Sequence, residues 1–304
     1  MSAPTGKLVE SLSQAIEAVD WYFEKGYTQI KLYSSIEPQW IRPISDYART
    51  KNIRVSGHIP ALTNAEFAVK NGFNEIHHIN MIFRNFLLAE GEDYRGSAFT
   101  LVGERGGKLD LGSKEVTDFL SLLKENSVVV DPTLSIFHTL YLNKAGELDP
   151  NFLAIADHLP VNIVRDYLLS PALDINSQNE SLYLETTVAL RKMTKLMFDA
   201  GITIVAGTDF MPGFGLHSEM ALLVKAGIPN SDVLKIVTIT AAKLSGQDER
   251  GFIKVGNYAD LILIDGDPTQ DINDIRKISL VFKDLNVYSP SALFKTVGVV
   301  PFLK

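Results

Sequence analysis

No cysteine occurs among the 304 residues, which excludes disulfides, thiolate metal sites and a cysteine nucleophile. A basic block is missing as well. Lys and Arg number 29 against 36 Asp and Glu, and the net charge of -7 excludes phosphate neutralisation as a main activity. Long apolar runs are also lacking. The opening Met-Ser-Ala-Pro-Thr-Gly-Lys has no apolar core of a secretion signal, and no later run approaches the length of a membrane span. The composition reads as a soluble chain, cytoplasmic by default, that acts on a small-molecule or peptide substrate and not on nucleic acid or a membrane. What is present is 46% hydrophobic residues, enough for a sizeable core in one large α/β domain with a small appendage.

The pattern turns on Thr203 to Met211, where β-prone Thr-Ile-Val-Ala runs into Gly-Thr-Asp-Phe-Met and presents Asp209. It reads as a buried strand that delivers one carboxylate. Earlier runs end in the same way, with Lys31 in Gln29 to Tyr33, His58 closing Ile53 to His58, and His77 and His78 closing Glu75 to His78. Helical patterns lie between them. Leu12, Ile16, Val19 and Phe23 share a face that Ser11 or Ser13 can cap and Gly26 can end. Pro38 can start a second helix, which Pro43 interrupts unless it lies in the first turn, and Asn64 caps a third. Residues 81 to 112, mixed and rich in Gly and Arg, read as a long loop over the site. Ser113 then caps a helix, Val128 to Val130 form a strand, Pro150 to Leu169 hold helical lid material, and a long helix spans Glu180 to Ala200. His217 to Ala226 and Ser231 to Leu244 read as two more helices, the second capped by Ser231. Short strands from Gly251 onward mark a change of character. The spacing predicts a β/α barrel domain over 1–246 and a small β appendage over 247–304.

In a parallel β/α barrel the C-terminal ends of strands face the active site, so Lys31, His58, His78 and Asp209 are expected to converge. Imidazole nitrogen and carboxylate oxygen suit zinc or a similar divalent ion. A lysine joins such a set only without its charge, for example as a carbamate formed with carbon dioxide. Each residue alone has a blander reading, since a strand-end histidine is commonly structural and an aspartate after Gly-Thr commonly forms a turn. Four in order outweigh that. Strand alternation turns His77 away when His78 faces inward. His138 and His158 sit in helical or lid sequence and read as structural, while His217 can reach substrate or simply begin a helix.

These motifs resemble the amidohydrolase superfamily, nearest to its imidazolonepropionase-like and Xaa-Pro dipeptidase-like members. Ile30-Lys31-Leu32-Tyr33 is similar to the family's fourth strand, Ser56-Gly57-His58 to the fifth, Ile76-His77-His78 to the sixth and Gly207-Thr208-Asp209 to the eighth. Leu216 to Met220, Ala241 to Leu244 and the Lys254 to Leu261 turn resemble its C-terminal signature. The resemblance implies a partial TIM-like (β/α)8 barrel of strands four to eight, with a remnant of the family's small β-sandwich over 247–304. It implies a metal-dependent hydrolase of amide or related C–N bonds. Asp209 would bind metal and move the proton, Lys31 as carbamate would bridge two ions, and His58 and His78 would hold the second. Tyr33 and His217 would touch substrate.

One departure stands out. The family's first strand carries a His-x-His pair, and the six histidines here, 58, 77, 78, 138, 158 and 217, include none. At most one metal, zinc or another divalent ion, is therefore expected where the complete family site holds two. A missing N-terminal segment or self-association would complete the barrel. The rival readings are a catalytically inactive fragment and a Schiff-base barrel enzyme using Lys31 as nucleophile.

Overall fold

A computed structural model describes residues 6–88 and 97–303, which fall into two compact units. The first unit comprises the chain up to Val102, Leu109–Asp131 and Asp199–Thr203; the second comprises Gly103–Lys108, Pro132–Phe198 and residues from Ile204 onward.

In the first unit, helix α1 (Leu12–Glu24) starts at Ser11, whose hydroxyl accepts from Gln14 N at 3.3 Å, and Gly26 leaves it at φ +82°. Ser11, not Ser13, is the cap. Strand β1 (Gln29–Leu32) leads through a 3-10 turn to α2 (Ile41–Thr50), and Pro43 lies in its first turn, where a missing N–H costs no helical bond. Ile41, Ile44 and Ala48 bury one face of α2. Strand β2 (Arg54–Gly57) follows, then α3 (Ala65–Lys70), capped by Asn64, whose Oδ1 accepts from Phe67 N at 2.8 Å. Strand β3 (Glu75–His77) runs into α4 (Ile79–Leu87), and α5 (Ala98–Arg105) comes next.

Here the expectation of a loop over 81–112 is corrected. Residues 79 to 84 are all buried, a helix enclosed on every side with Ile79, Met81, Ile82 and Phe83 as its apolar content, and this outweighs the Gly and Arg content that reads as loop. Residues 89–96 of that stretch lie outside the described residues. Helix α6 (Lys114–Glu125), capped by Ser113, then leads to β4 (Val129–Asp131).

Strands β1 to β4 pair in parallel, with Ile30 opposite Val55, Gly57 opposite Ile76 and Ile76 opposite Val130. Strand order is β1-β2-β3-β4-β5, where β5 is Thr203–Ile204, so the sheet is open and the barrel is not closed. β1 and β5 are its edges. The long strand expected at Thr203 to Met211 is thus two residues long, and Asp209 sits five residues past its end. An edge strand has a ladder on one side only, and Asp209 and Met211 adopt left-handed backbone (φ +50° and +41°) that no strand continues.

The second unit is mainly helical. Helix α7 (Leu134–Leu142) was not foreseen; α8 (Val161–Ile163) widens into a π-helical turn over Val164–Leu168, and α9 (Glu180–Asp199) is the long helix expected. Next come α10 (Gly215–Lys225), α11 (Asn230–Lys235) and α12 (Ala241–Leu244). α11 begins behind Pro229, so Ser231 is not its cap. Strands β6 (Leu261–Ile264), β7 (Ile278–Lys283) and β8 (Asn286–Tyr288) form one antiparallel sheet, and α13 (Pro290–Thr296) follows it. No strand forms over Gly251 to Asp260. A core of Phe152, Ile155, Leu159, Leu168 and Val299 ties the 152–168 segment to the C-terminal residues.

Candidate functional site

At the ends of β1, β2 and β3 the first unit gathers four of the residues singled out by sequence. Lys31 Nζ lies 5.1 Å from the centre of the Tyr33 ring, that ring 4.8 Å from His58, and the His58 ring 4.7 Å from His78 in an edge-on arrangement. They form one contiguous group. Gly57 makes it possible, since its φ of +122° suits glycine and a Cβ there would stand 2.3 Å from Leu32 O. His78 carries strain of its own. Its φ is +71°, and its backbone N–H donates to Asp131 O at 2.7 Å, which fixes the turn between β3 and α4.

Burial sets the protonation of both rings. His58 is pushed down to about 3, by burial first and then by the charges of Lys31, His77 and Arg84. His78 is pushed down to about 2, again by burial first and then by His58, Lys31 and His77. Both are neutral imidazoles near pH 7, the form that binds metal. His77 behaves as strand alternation requires, with Nε2 placed 2.8 Å from Glu75 Oε1, while Arg54 holds the other oxygen of Glu75 at 2.6 Å. Lys31 is exposed. A cleft of ≈ 440 Å³ beside it is lined by Val19, Tyr22, Ile30, Lys31, Tyr33 and Ile36.

Sequence reasoning missed two neighbours. Ser34 Oγ stands 3.4 Å from His58 Nδ1, the contact that would leave Nε2 as the ligating nitrogen. Arg84, 2% exposed, donates to Met81 Sδ at 2.9 Å, and burial pushes it down to about 10. A charged residue inside the apolar run of α4 was the available signal.

Asp209 and His217 belong to the second unit. Asp209 is exposed on the loop after β5, and Phe210 beside it packs 5.4 Å from Phe152. His217, half-buried in the first turn of α10, is pushed down to about 4 by burial and then by the charge of Arg276. Two residues on, Glu219 is fully buried, and its carboxylate accepts from Leu134 N at 2.8 Å and Ser135 N at 2.7 Å. It caps α7 from 85 residues away. His138 is buried against Arg191, with Nε2 2.5 Å from its guanidinium, and His158 stacks on Phe302 at 3.9 Å. Both are packing residues. Among the described residues no group of three or more His, Asp and Glu side chains stands ready to hold a metal ion.

A family model described as the amidohydrolase family matches residues 7–290. No curated protein matches. Among solved structures, the chain is similar to a Xaa-Pro dipeptidase with methionine bound in its active site, at 18% identity and a TM-score of 0.59 over 92% of this chain and 59% of that one. It is similar to the bottromycin amidohydrolase, at 18% identity and 0.67 over 97% and 64%, and to an ochratoxinase from A. niger, at 18% and 0.60 over 92% and 55%. The chain thus spans about three-fifths of the length of the first structures it matches.

Proposed function

Because the chain belongs to the amidohydrolase family, we propose that it carries His58, His78, Lys31 and Asp209 of a metal-dependent hydrolase that cleaves amide and related C–N bonds. The observation that carries the reading is the edge-on pair of neutral imidazoles, 4.7 Å apart at neighbouring strand ends. The donor chemistry fits a divalent ion, with His58 and His78 as two ligands and Lys31 as a third only if it is carbamylated. Such an ion would polarise the scissile carbonyl and acidify a water near neutral pH.

The remaining work falls to the protein. Asp209, assigned by its Gly207-Thr208-Asp209 motif, takes the proton of the attacking water and passes it to the departing nitrogen, so amide and water become carboxylic acid and amine. Tyr33 stands against His58, where it shapes the substrate end of the cleft, and His217 is a second substrate contact. The strands β1 to β5 match strands four to eight of the family barrel by these motifs, and residues 247–304 match its small β domain. Substrates are small amides or peptides. With Lys31, His58 and His78 as its ligands, this site takes one metal, weakly held.

Elemental analysis after dialysis tests the metal. One zinc or fewer per chain, lost in His78→Ala, is the expected result; two tightly held ions, or an unchanged content in His78→Ala, would contradict it. Asp209→Asn in an active preparation keeps the shape but not the base and should lower kcat by about 10²–10⁴. A second reading, a chain with no activity of its own, is favoured by the exposure of Lys31 and the absence of His-x-His. Wild-type turnover above that of Asp209→Asn decides against it.

A further inference from the structure

Asp149, in the second unit, is fully buried, and its carboxylate accepts from neutral donors, Thr139 Oγ1 at 2.5 Å and Asn151 N at 2.8 Å. Among the described residues no cationic side chain forms an ion pair with it, and burial pushes its carboxyl up. Asn143 poses the matching problem. It too is fully buried, and neither its Oδ1 nor its Nδ2 has a hydrogen-bond partner. Both adjoin the C-terminal half of α7. Asn143 N donates to Thr139 O at 3.0 Å, which places residues 139 and 143 one turn apart on a single face of α7, and the Thr139 hydroxyl on that face reaches Asp149. Asn151 closes the far side, its Nδ2 donating to Ser135 O at 3.0 Å and Thr139 Oγ1 at 3.2 Å.

A buried carboxylate without a counter-charge and a buried amide without partners each cost free energy. A cation would supply the counter-charge to the one and a partner to the Oδ1 of the other. We propose that this face of α7 binds a monovalent alkali cation, sodium or potassium, between the Asp149 carboxylate and Asn143 Oδ1. The donors are all oxygen, which disfavours zinc-like ions, and a single carboxylate supplies one negative charge where calcium sites commonly gather several. The site is independent of the histidines of the first unit and of the hydrolase reading.

The test uses the full chain with tetramethylammonium as the only cation, to which sodium or potassium chloride is added at constant ionic strength. The expected result is a saturable rise in Tm of about 2–4 °C with one of the two alkali ions. Asp149→Asn and Asn143→Leu should each remove it. If these variants fail to fold, ²³Na line broadening and thallium(I) binding on the unaltered chain carry the same question, with one site per chain expected. Equal Tm in sodium, potassium and tetramethylammonium, with no broadened sodium signal and no bound thallium, would overturn the proposal and leave Asp149 as a protonated acid beside water.

Discussion

The parallel sheet and the antiparallel sheet use similar residues to opposite ends. In β2 and β3, Val55, Ser56 and Ile76 are each 0% exposed, whereas in β6 Leu261, Ile262 and Leu263 are 37, 46 and 53% exposed. Apolar content alone does not say which strand is enclosed. Parallel strands are joined by helices that return across the sheet and cover it, as α2 does with Ile41 and Ile44; antiparallel strands such as β7 and β8 can be joined by a tight turn that brings no such cover. A covered strand holds its last residue in place, and His58 and His78 sit at such ends. The exposed sheet holds nothing comparable.

The comparison breaks most sharply at Ile76. Ile76→Ala removes a fully buried side chain in β3, next to His77 and His78, and should cost about 3 kcal/mol in urea unfolding. If the metal uptake proposed for His78 is found and is retained in that variant, strand packing does not hold that side chain. A cost under about 1 kcal/mol would show that the site collapses freely and that the sheet is not enclosed.

The second effect lies in the helical unit. Glu219→Gln leaves one oxygen facing the amides of Leu134 and Ser135 and turns an NH2 toward the other N–H, so a charge-assisted pair becomes one bond and one clash. A loss of about 2 kcal/mol is expected, read by unfolding and by hydrogen exchange at α7. Unaltered protection of residues 134 and 135 would mean that the cap is dispensable.

How much of this the sequence could show depended on whether the deciding contact was local. Ser11, Asn64 and Ser113 cap helices by bonding three residues ahead, and all three ends were legible, as were His58 and His78 at the ends of apolar runs. α7 was not. Its first turn is capped by Glu219, and its face buries Ser135, His138 and Thr139 along with Leu134 and Phe137, so no apolar stripe marks it. Arg84 was marked only as a charge inside an apolar run, and it is burial that makes it matter to His58. The Thr203 to Met211 stretch misled in the other direction, because its β propensity outran the pairing available at a sheet edge.

A third effect is pH-dependent. His138 is held to about 3 by burial and then by Arg191 and Lys225, against about 6.5 when unfolded. The unfolded chain takes up the proton first, so the stability it contributes is complete above pH 6.5 and is lost as pH falls toward 3. The slope is about 1.4 kcal/mol per pH unit for one such group. His138→Gln should flatten the acid limb by that amount between pH 6 and 4, and an unchanged slope would place the proton uptake elsewhere.

The smallest effect belongs to the exposed sheet. Ile262 is 46% exposed and sits opposite Val281, and Ile262→Thr keeps the β-branched shape that suits a strand while giving up little buried area. The change should cost less than about 0.5 kcal/mol, a tenth or so of what a large core deletion can cost. Unfolding measured at two protein concentrations tests it. A cost above about 1 kcal/mol that grows with concentration would mean that a second copy covers the sheet in solution, since association that favours the folded state makes stability depend on concentration. The two sheets would then differ in what covers them, helices of the same chain in one case and another molecule in the other.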